Sequence, residues 1–483
     1  MLSDQLSQMD VVFLGVESAR TPMHTAGVVI FEGKIPFSQV YETVESRLHL
    51  VPRFTQKLAM VPFGLGRPFW ADDPQFDLSY HLRHAALPSP GSDEQLCDFA
   101  ARLISRQLDR SKPLWEVYVI EGLEDGRSAI VAKTHHAMVD GLSSMDLATV
   151  LFDFSREPPK APKGEVRKTS SFPSSFDRVQ AAIENQVGEI NDVSKLVRTA
   201  VSAPGKIIEA VTGNAGSVVK AFASVAKRAP SSPLNVGPGL HRRFAVVRST
   251  LQTFKDIKNA AGATVNDVVL SVCADSLGKL MRFRGERTEG VTLKALVPVS
   301  VRTEDQKGGL GNEITAIFPE LPIGKMGALD RLGLIHEQLD GIKDSEQAVG
   351  AERLVNATRW APPTLHMMAA RLGARARIMN VTISNVPGPQ MPLYSCGVKM
   401  LEPYAVIPLA ESQSLSIGVT SYNEGIFFGL NADRDSHPDL AQLASYIDES
   451  IRDLAKAAAE ATSEAITTAE TEIAVGSVSG SAS

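Results

Sequence analysis

Cysteine is scarce in this 483-residue chain. Cys97, Cys273 and Cys396 are the whole complement, far apart and without CxxC spacing. Three such residues exclude a disulfide scaffold and fit a reducing, cytoplasmic compartment. A large charge excess is also missing: 49 basic residues face 55 acidic ones, a net charge of −6. The chain therefore has no global electrostatic reason to hold nucleic acid. Nowhere does an apolar run approach the ~18 residues that suggest a membrane span. Met1 to Gln5 carries no basic region and Val11–Leu14 is the only apolar run near it, so no secretory signal is expected. Any membrane contact would then be peripheral. With 43% hydrophobic and 22% charged residues, wholesale disorder, collagen-like repeats and a coiled-coil rod are excluded. The length suits two to three domains, enough to bury a sizeable core.

Residues 1–155 alternate strand-like and helix-like patterns, as an α/β or α+β lobe would. Composition shifts near Pro158. Residues 157–175 read as an exposed Pro/Lys/Ser-rich linker, and weak helical patterns follow over about 176–228. There Val218, Phe222 and Val225 share one face, while Lys220, Lys227 and Arg228 can stay in solvent. The spans 156–240, 241–458 and 459–483 are expected to be linker with crossover helices, a second α/β lobe, and a disordered tail rich in Ala, Thr, Ser and Glu.

Chemistry concentrates in Lys133-Thr134-His135-His136-Ala137-Met138-Val139-Asp140-Gly141. Trp115–Ile120 predicts a strand, Glu124-Asp125-Gly126 a turn, and Ala129–Thr134 the returning strand. The histidine pair thus stands where a strand gives way to a loop, with a helix expected after Gly141. With ten histidines, 55 acidic residues and 36 glycines, the His-His–acid–Gly pattern is expected by accident only on the order of 0.002 times. Adjacent strand residues face opposite ways, so the two imidazoles cannot share one role. One can face a cavity as a general base, for which an unperturbed pKa of ~6.5 is suitable. Asp140 is placed to steady the loop or cap the next helix, and Gly141 allows a tight turn or close substrate approach. GxSxG, GxxxxGK[ST], strand-borne GxGxxG and HExxH are all absent. A base without a paired nucleophile suits direct transfer from an activated donor such as a thioester.

His135-His136-Ala137-Met138-Val139-Asp140-Gly141 resembles the HHxxxDG motif of the CoA-dependent acyltransferase superfamily. From Leu6 to about residue 458 the chain is similar to the bacterial wax ester synthase/acyl-CoA:diacylglycerol acyltransferase family. The resemblance is carried further by Asp10–Glu17, Pro22-Met23-His24, Pro113-Leu114-Trp115-Glu116, Thr264–Leu270, Pro298–Arg302, Gly311-Asn312 and Ser384–Pro389. It implies two chloramphenicol-acetyltransferase-like lobes, mixed sheets flanked by helices, with a tunnel between them. It implies His136 as the base that lets an alcohol oxygen attack acyl-CoA, His135 and Asp140 as loop organisers, and Arg302 as the partner of Asp140 across the lobes. Acyl-CoA is then a co-substrate, diacylglycerol or a long-chain alcohol the acceptor, and no metal or other cofactor is needed. The expected location is the cytoplasm, with peripheral contact at the inner face of the membrane or on lipid inclusions. Two alternatives stay open: a carrier-protein-dependent condensation-type acyltransferase, and a non-catalytic lipid-inclusion protein.

Further residues carry weaker expectations. Thr264-Val265-Asn266-Asp267 has a capping-box pattern, which makes Asp267 first a cap and second a substrate contact. Asn266 in the same turn is a candidate oxyanion or acceptor contact. Pro113, Leu114 and Trp115 read as core packing before a strand, with substrate contact as the other reading. Ser384, Asn385, Pro387 and Gly388 read as a rigid turn lining the tunnel. Chain length, acceptor preference and oligomeric state leave no mark in one dimension.

Overall fold

The computed structural model describes residues 4–64, 66–139, 150–157, 171–184, 228–300, 314–344 and 377–479. Two mixed sheets carry it. The first has six strands in the order Tyr394–Ser395, Val398–Val406, His24–Phe31, Ser128–His135, Trp115–Glu121 and Leu82–Ala86. The second runs Glu320–Pro322, Thr292–Ser300, Val381–Pro387, Leu415–Tyr422, Gly425–Asp433 and Arg242–Thr250, with Ile314–Ile317 also paired to Thr292–Ser300. In the first sheet, Ser128–His135 is buried along nearly its whole length. That is why it reads as a near-continuous apolar run rather than an alternating one.

Helices seal the sheets, and their starts follow the sequence. Asp93–Ile104 begins with a Ser92/Gln95 capping box, and Val265–Phe283 with a Thr264/Asp267 box. Val265–Phe283 buries Val268, Leu270, Cys273, Leu277 and Leu280 completely, in the core of the second sheet. Leu251–Ala261 ends at Gly262 with a left-handed φ of 64°, the conformation a C-terminal glycine tolerates.

Two expectations need correction. The lobes do not divide at the sequence boundaries, because Tyr394–Ser395 and Val398–Val406 leave the 241–458 segment to join the first sheet. Ala26 pairs with Val406 and Gly27 with Ala405. The borrowed strand then crosses the second sheet closely enough that a Cβ at Gly418 or Gly429, themselves cross-strand partners, would lie 2.5 or 2.3 Å from the Ala405 carbonyl oxygen. Glycine at both positions is what admits the crossing. The tail is the second correction: a helix spans Leu440–Ser479, well into the 459–483 stretch expected to be disordered. Its many alanines have the highest intrinsic helix propensity and extend a helix anchored by buried Leu443, Ile447, Ile451 and Leu454. Of the crossover, 175–184 is helical, while Val218, Lys220, Phe222, Val225 and Lys227 lie outside the described residues.

Candidate active site

The strand Ser128–His135 ends with its last residue opposite His24 and passes directly into the short helix His136–Val139. The change of backbone direction separates the two imidazoles. His135 is fully buried, whereas His136 keeps partial exposure. The Ala137 N–H donates to His135 Nδ1 over 3.0 Å, so the neutral ring carries its proton on Nε2. That nitrogen faces Glu17 Oε1 at 3.5 Å.

Glu17 ties the site together. Its side chain is 1% exposed. It accepts from the Met23 N–H at 3.0 Å and from Arg110 Nε and Nη2 at 2.9 and 2.6 Å. The Met23 carbonyl in turn accepts the His136 N–H at 2.9 Å, and the Leu114 carbonyl accepts the His135 N–H at 3.0 Å. One carboxylate therefore braces both the His135 ring and the backbone that presents His136. Burial by itself would raise the Glu17 carboxyl. The His135 hydrogen bond, the Met23 N–H and Arg110 outweigh it and hold the group down at about 2.

His136 stacks on Phe13, ring centroids 4.5 Å apart and planes at 20°. Phe13 belongs to the helix Gln8–Val16, whose Ser7/Asp10 capping box fixes its start. Burial pushes the His136 imidazole down to about 4. At neutral pH it is uncharged and able to accept a proton. Among the described residues no side chain hydrogen-bonds its ring. His24, opposite His135, is likewise held well below its ordinary value by burial and then by the Lys133 charge.

The other candidates divide. Asp140, Gly141 and Arg302 lie outside the described residues, and so does their expected contact. Leu114 is completely buried, Trp115 is 2% exposed, and the indole N–H donates to the Phe54 carbonyl at 2.8 Å. Pro113 is buried beside them. These three lie in the core where the chain enters the sheet, with the Trp115 ring packed against those of His81 and Phe54. Asp267 is held as the expected cap. Its Oδ2 accepts the Thr264 N–H at 2.8 Å and sits 2.7 Å from His336 Nδ1, and the residue is 1% exposed.

Ser384, Asn385 and Pro387 belong to a strand rather than a turn. They pair in parallel with Gly418, Val419 and Ser421. Turn-like composition yields because Pro387 is the strand's last residue, where a missing N–H costs little. Gly388 follows it and donates to the Ser421 carbonyl at 2.8 Å. Ser384 is buried, while Asn385 Nδ2 donates to Asn266 Oδ1 over 3.4 Å. Two amides singled out 119 residues apart are thus neighbours. Among the described residues neither hydrogen-bonds His136. Glu17 and Phe13 are the neighbours of the two histidine rings that residue types alone do not reveal.

The chain is similar to known proteins over nearly its whole length. Residues 6–269 match the model of the wax ester synthase/diacylglycerol acyltransferase catalytic domain, and 310–455 match that of the WS/DGAT C-terminal domain. The chain is 31% identical over 455 residues to a Mycobacterium tuberculosis protein named as a diacylglycerol O-acyltransferase, covering 93% of this chain and 95% of that one. A second M. tuberculosis protein of that description is 32% identical over 470 residues, covering 94% and 99%. A solved wax ester synthase/diacylglycerol acyltransferase from Marinobacter aquaeolei VT8 superposes with a TM-score of 0.67 at 27% identity, covering 94% of this chain and all of that one. The starter condensation domain of rhizomide synthetase shares the fold, with a TM-score of 0.57 at 13% identity and coverage of 95% and 94%. Sequence match and superposition agree over both lobes: the chain belongs to the wax ester synthase/diacylglycerol acyltransferase family.

Proposed function

We propose that the chain transfers a long-chain acyl group from acyl-CoA to the hydroxyl of diacylglycerol, giving triacylglycerol, or of a long-chain alcohol, giving a wax ester. The observation that carries this reading is His136: an uncharged, partly exposed imidazole stacked on Phe13, beside a second histidine committed to Glu17. The His136 ring takes the proton of the acceptor hydroxyl as its oxygen attacks the thioester carbonyl. The carbon–sulfur bond then breaks, and the departing thiolate recovers a proton from the imidazolium. No acyl-enzyme forms, because the thioester already supplies the activation. Asn266 and Asn385 are the amides we assign to the developing oxyanion or the acceptor, a role for which a side-chain donor contributes roughly 10²–10³ in kcat. Asp140 and Arg302 keep their proposed part in holding the loop.

A lipid acceptor calls for contact with a lipid surface from the cytoplasmic side. Among the described residues no helix is long and apolar enough to cross a membrane. Phe63, Phe176 and Met60 are 94%, 76% and 54% exposed, and Arg178 joins the last two regions by donating to the Met60 carbonyl at 2.6 Å. This apolar rim supports peripheral seating on a membrane or lipid inclusion.

The acceptor class is tested by CoA release from palmitoyl-CoA in the presence of dipalmitoylglycerol, hexadecanol or glycerol. Release that depends on either of the first two is expected; release that requires a phosphopantetheinyl carrier protein would favour a condensation-type enzyme instead. The pH profile tests the base. Only neutral His136 accepts a proton, and its neutral form dominates above about 4. The acid limb of kcat/KM should therefore lie near pH 4, and kcat/KM should be flat through pH 6–7. A limb near 6.5 would show an imidazole without the described burial.

A further inference from the structure

A cavity of about 730 Å³ opens at the seam of the two sheets, and neither His135 nor His136 is among its lining residues. Its lining includes Arg102, Arg106, Arg242, Arg243 and Arg434 against one acidic residue, Asp98. Arg102 and Arg106 come from the end of the helix Asp93–Ile104 and the turn after it. Arg242 and Arg243 open the strand Arg242–Thr250, and Arg434 follows Gly425–Asp433. Among the described residues, Arg434 alone of the five has a carboxylate in ion-pair reach, Asp435 at 3.4 Å, and both are largely exposed. Arg102 rests over the Phe99 ring, and Arg243 donates to the Arg434 carbonyl at 3.4 Å.

Arg242 is the built part of this cavity. It is 5% exposed, and its guanidinium is fixed by the carbonyls of Gly239, His241 and Arg20. Its backbone N–H donates to Ser105 Oγ at 3.0 Å. Burying this cation is costly, and the charge of Asp433, its cross-strand partner, offsets part of that cost. Four further guanidiniums at the same cavity add their mutual repulsion. A ligand with several phosphate oxygens removes that repulsion, and the arginine fork matches phosphate geometry in pairs of hydrogen bonds.

The cavity also adjoins the site. Ala19 on its wall is two residues beyond Glu17, and the Arg106 carbonyl accepts Lys133 Nζ, at 2.8 Å, from the strand that ends at His135. We propose that this arginine-lined seam cavity binds the phosphate-bearing nucleotide end of the acyl donor, while the thioester end reaches His136. The inference rests on the acyl-CoA reading given under Proposed function.

The test uses the purified full chain and the exposed pair of arginines, as Arg102→Ala with Arg243→Ala, and a charge-reversed version with Glu at both. Turnover is measured with palmitoyl-CoA and with palmitoyl N-acetylcysteamine thioester, which has no phosphate. Binding of 3′,5′-ADP is measured by calorimetry. Losing charged hydrogen bonds should raise KM for palmitoyl-CoA about 10- to 100-fold, more for the reversed charges, with kcat held. The phosphate-free thioester should be used as well by the variants as by the wild type, and ADP binding should disappear. Unchanged KM for palmitoyl-CoA, equal losses on both thioesters, or a wild type that does not bind ADP would overturn the proposal. So would variants that keep their KM yet lose binding to phosphatidylglycerol vesicles, since the arginines would then serve a lipid headgroup. A wild type that turns over neither thioester but binds ADP through these arginines would count against the donor reading and leave the phosphate site standing.

Discussion

His136→Ala should lower kcat by at least the ~10²–10⁴ that a positioned general base contributes, while leaving the protein folded. The side chain is partly exposed and packs mainly on the Phe13 ring, so its removal costs little core volume. KM for acyl-CoA should change far less than kcat, because the lost interaction is made only as the acceptor hydroxyl gives up its proton. The check is acceptor-dependent CoA release by the variant, with circular dichroism to establish folding. His135→Ala should also lose activity but through stability, since the buried ring accepts the Ala137 N–H and faces Glu17. Full turnover by folded His136→Ala would remove the proposed base.

Glu17→Gln should destabilise the protein on the order of 3 kcal/mol at neutral pH, the value of a carboxyl held at about 2 against 4.5 when unfolded. Its folded-state pKa is depressed, so this stabilisation is complete above the unfolded value and is lost as pH falls from about 4.5 towards 2. Urea denaturation should therefore separate variant and wild type at pH 7, less than half as far near pH 3, and bring them together only below about pH 2. The same substitution places an amide N–H₂ against Arg110 or Met23, which loosens the chain from Met23 to His136. A misplacement of about 1 Å costs on the order of 10²-fold in kcat. We expect kcat to fall with KM nearly unchanged, and Glu17→Ala to be worse. Arg110→Ala should be milder, because its guanidinium is 40% exposed and solvent can replace it in part. A Glu17→Gln variant of full stability and full turnover would show that the carboxylate braces nothing.

The histidine motif and the strands around it are legible because each depends on near neighbours. Trp115–Glu121 and Ser128–His135 are apolar runs separated by turn residues, and the two imidazoles part where the strand gives way to the helix His136–Val139. The Thr264/Asp267 capping box is equally local, and it appears as read. Glu17 is legible only as the end of the Asp10–Glu17 segment that carries the resemblance: it lies 118 positions before His135, and no local pattern announces its place against that ring. The same holds for Phe13, an ordinary apolar helix residue until the fold lays His136 on it. Ser384–Pro387 misleads because composition reports backbone freedom, whereas parallel pairing with Leu415–Tyr422 decides the conformation. The strand Val398–Val406 follows its pairing partner rather than its place in the chain. Only the long-range register with His24–Phe31, and two glycines that admit the Ala405 backbone, assign it to the first sheet.

The most direct measurement is the intact mass of the wild-type protein mixed with excess palmitoyl-CoA, without acceptor, and quenched on the timescale of turnover. Direct attack by the acceptor oxygen leaves the protein at its unmodified mass, with free CoA appearing only once a lipid alcohol is added. A protein heavier by one palmitoyl group, discharged when the alcohol arrives, would place a nucleophile of the enzyme between donor and acceptor and contradict the role given to His136.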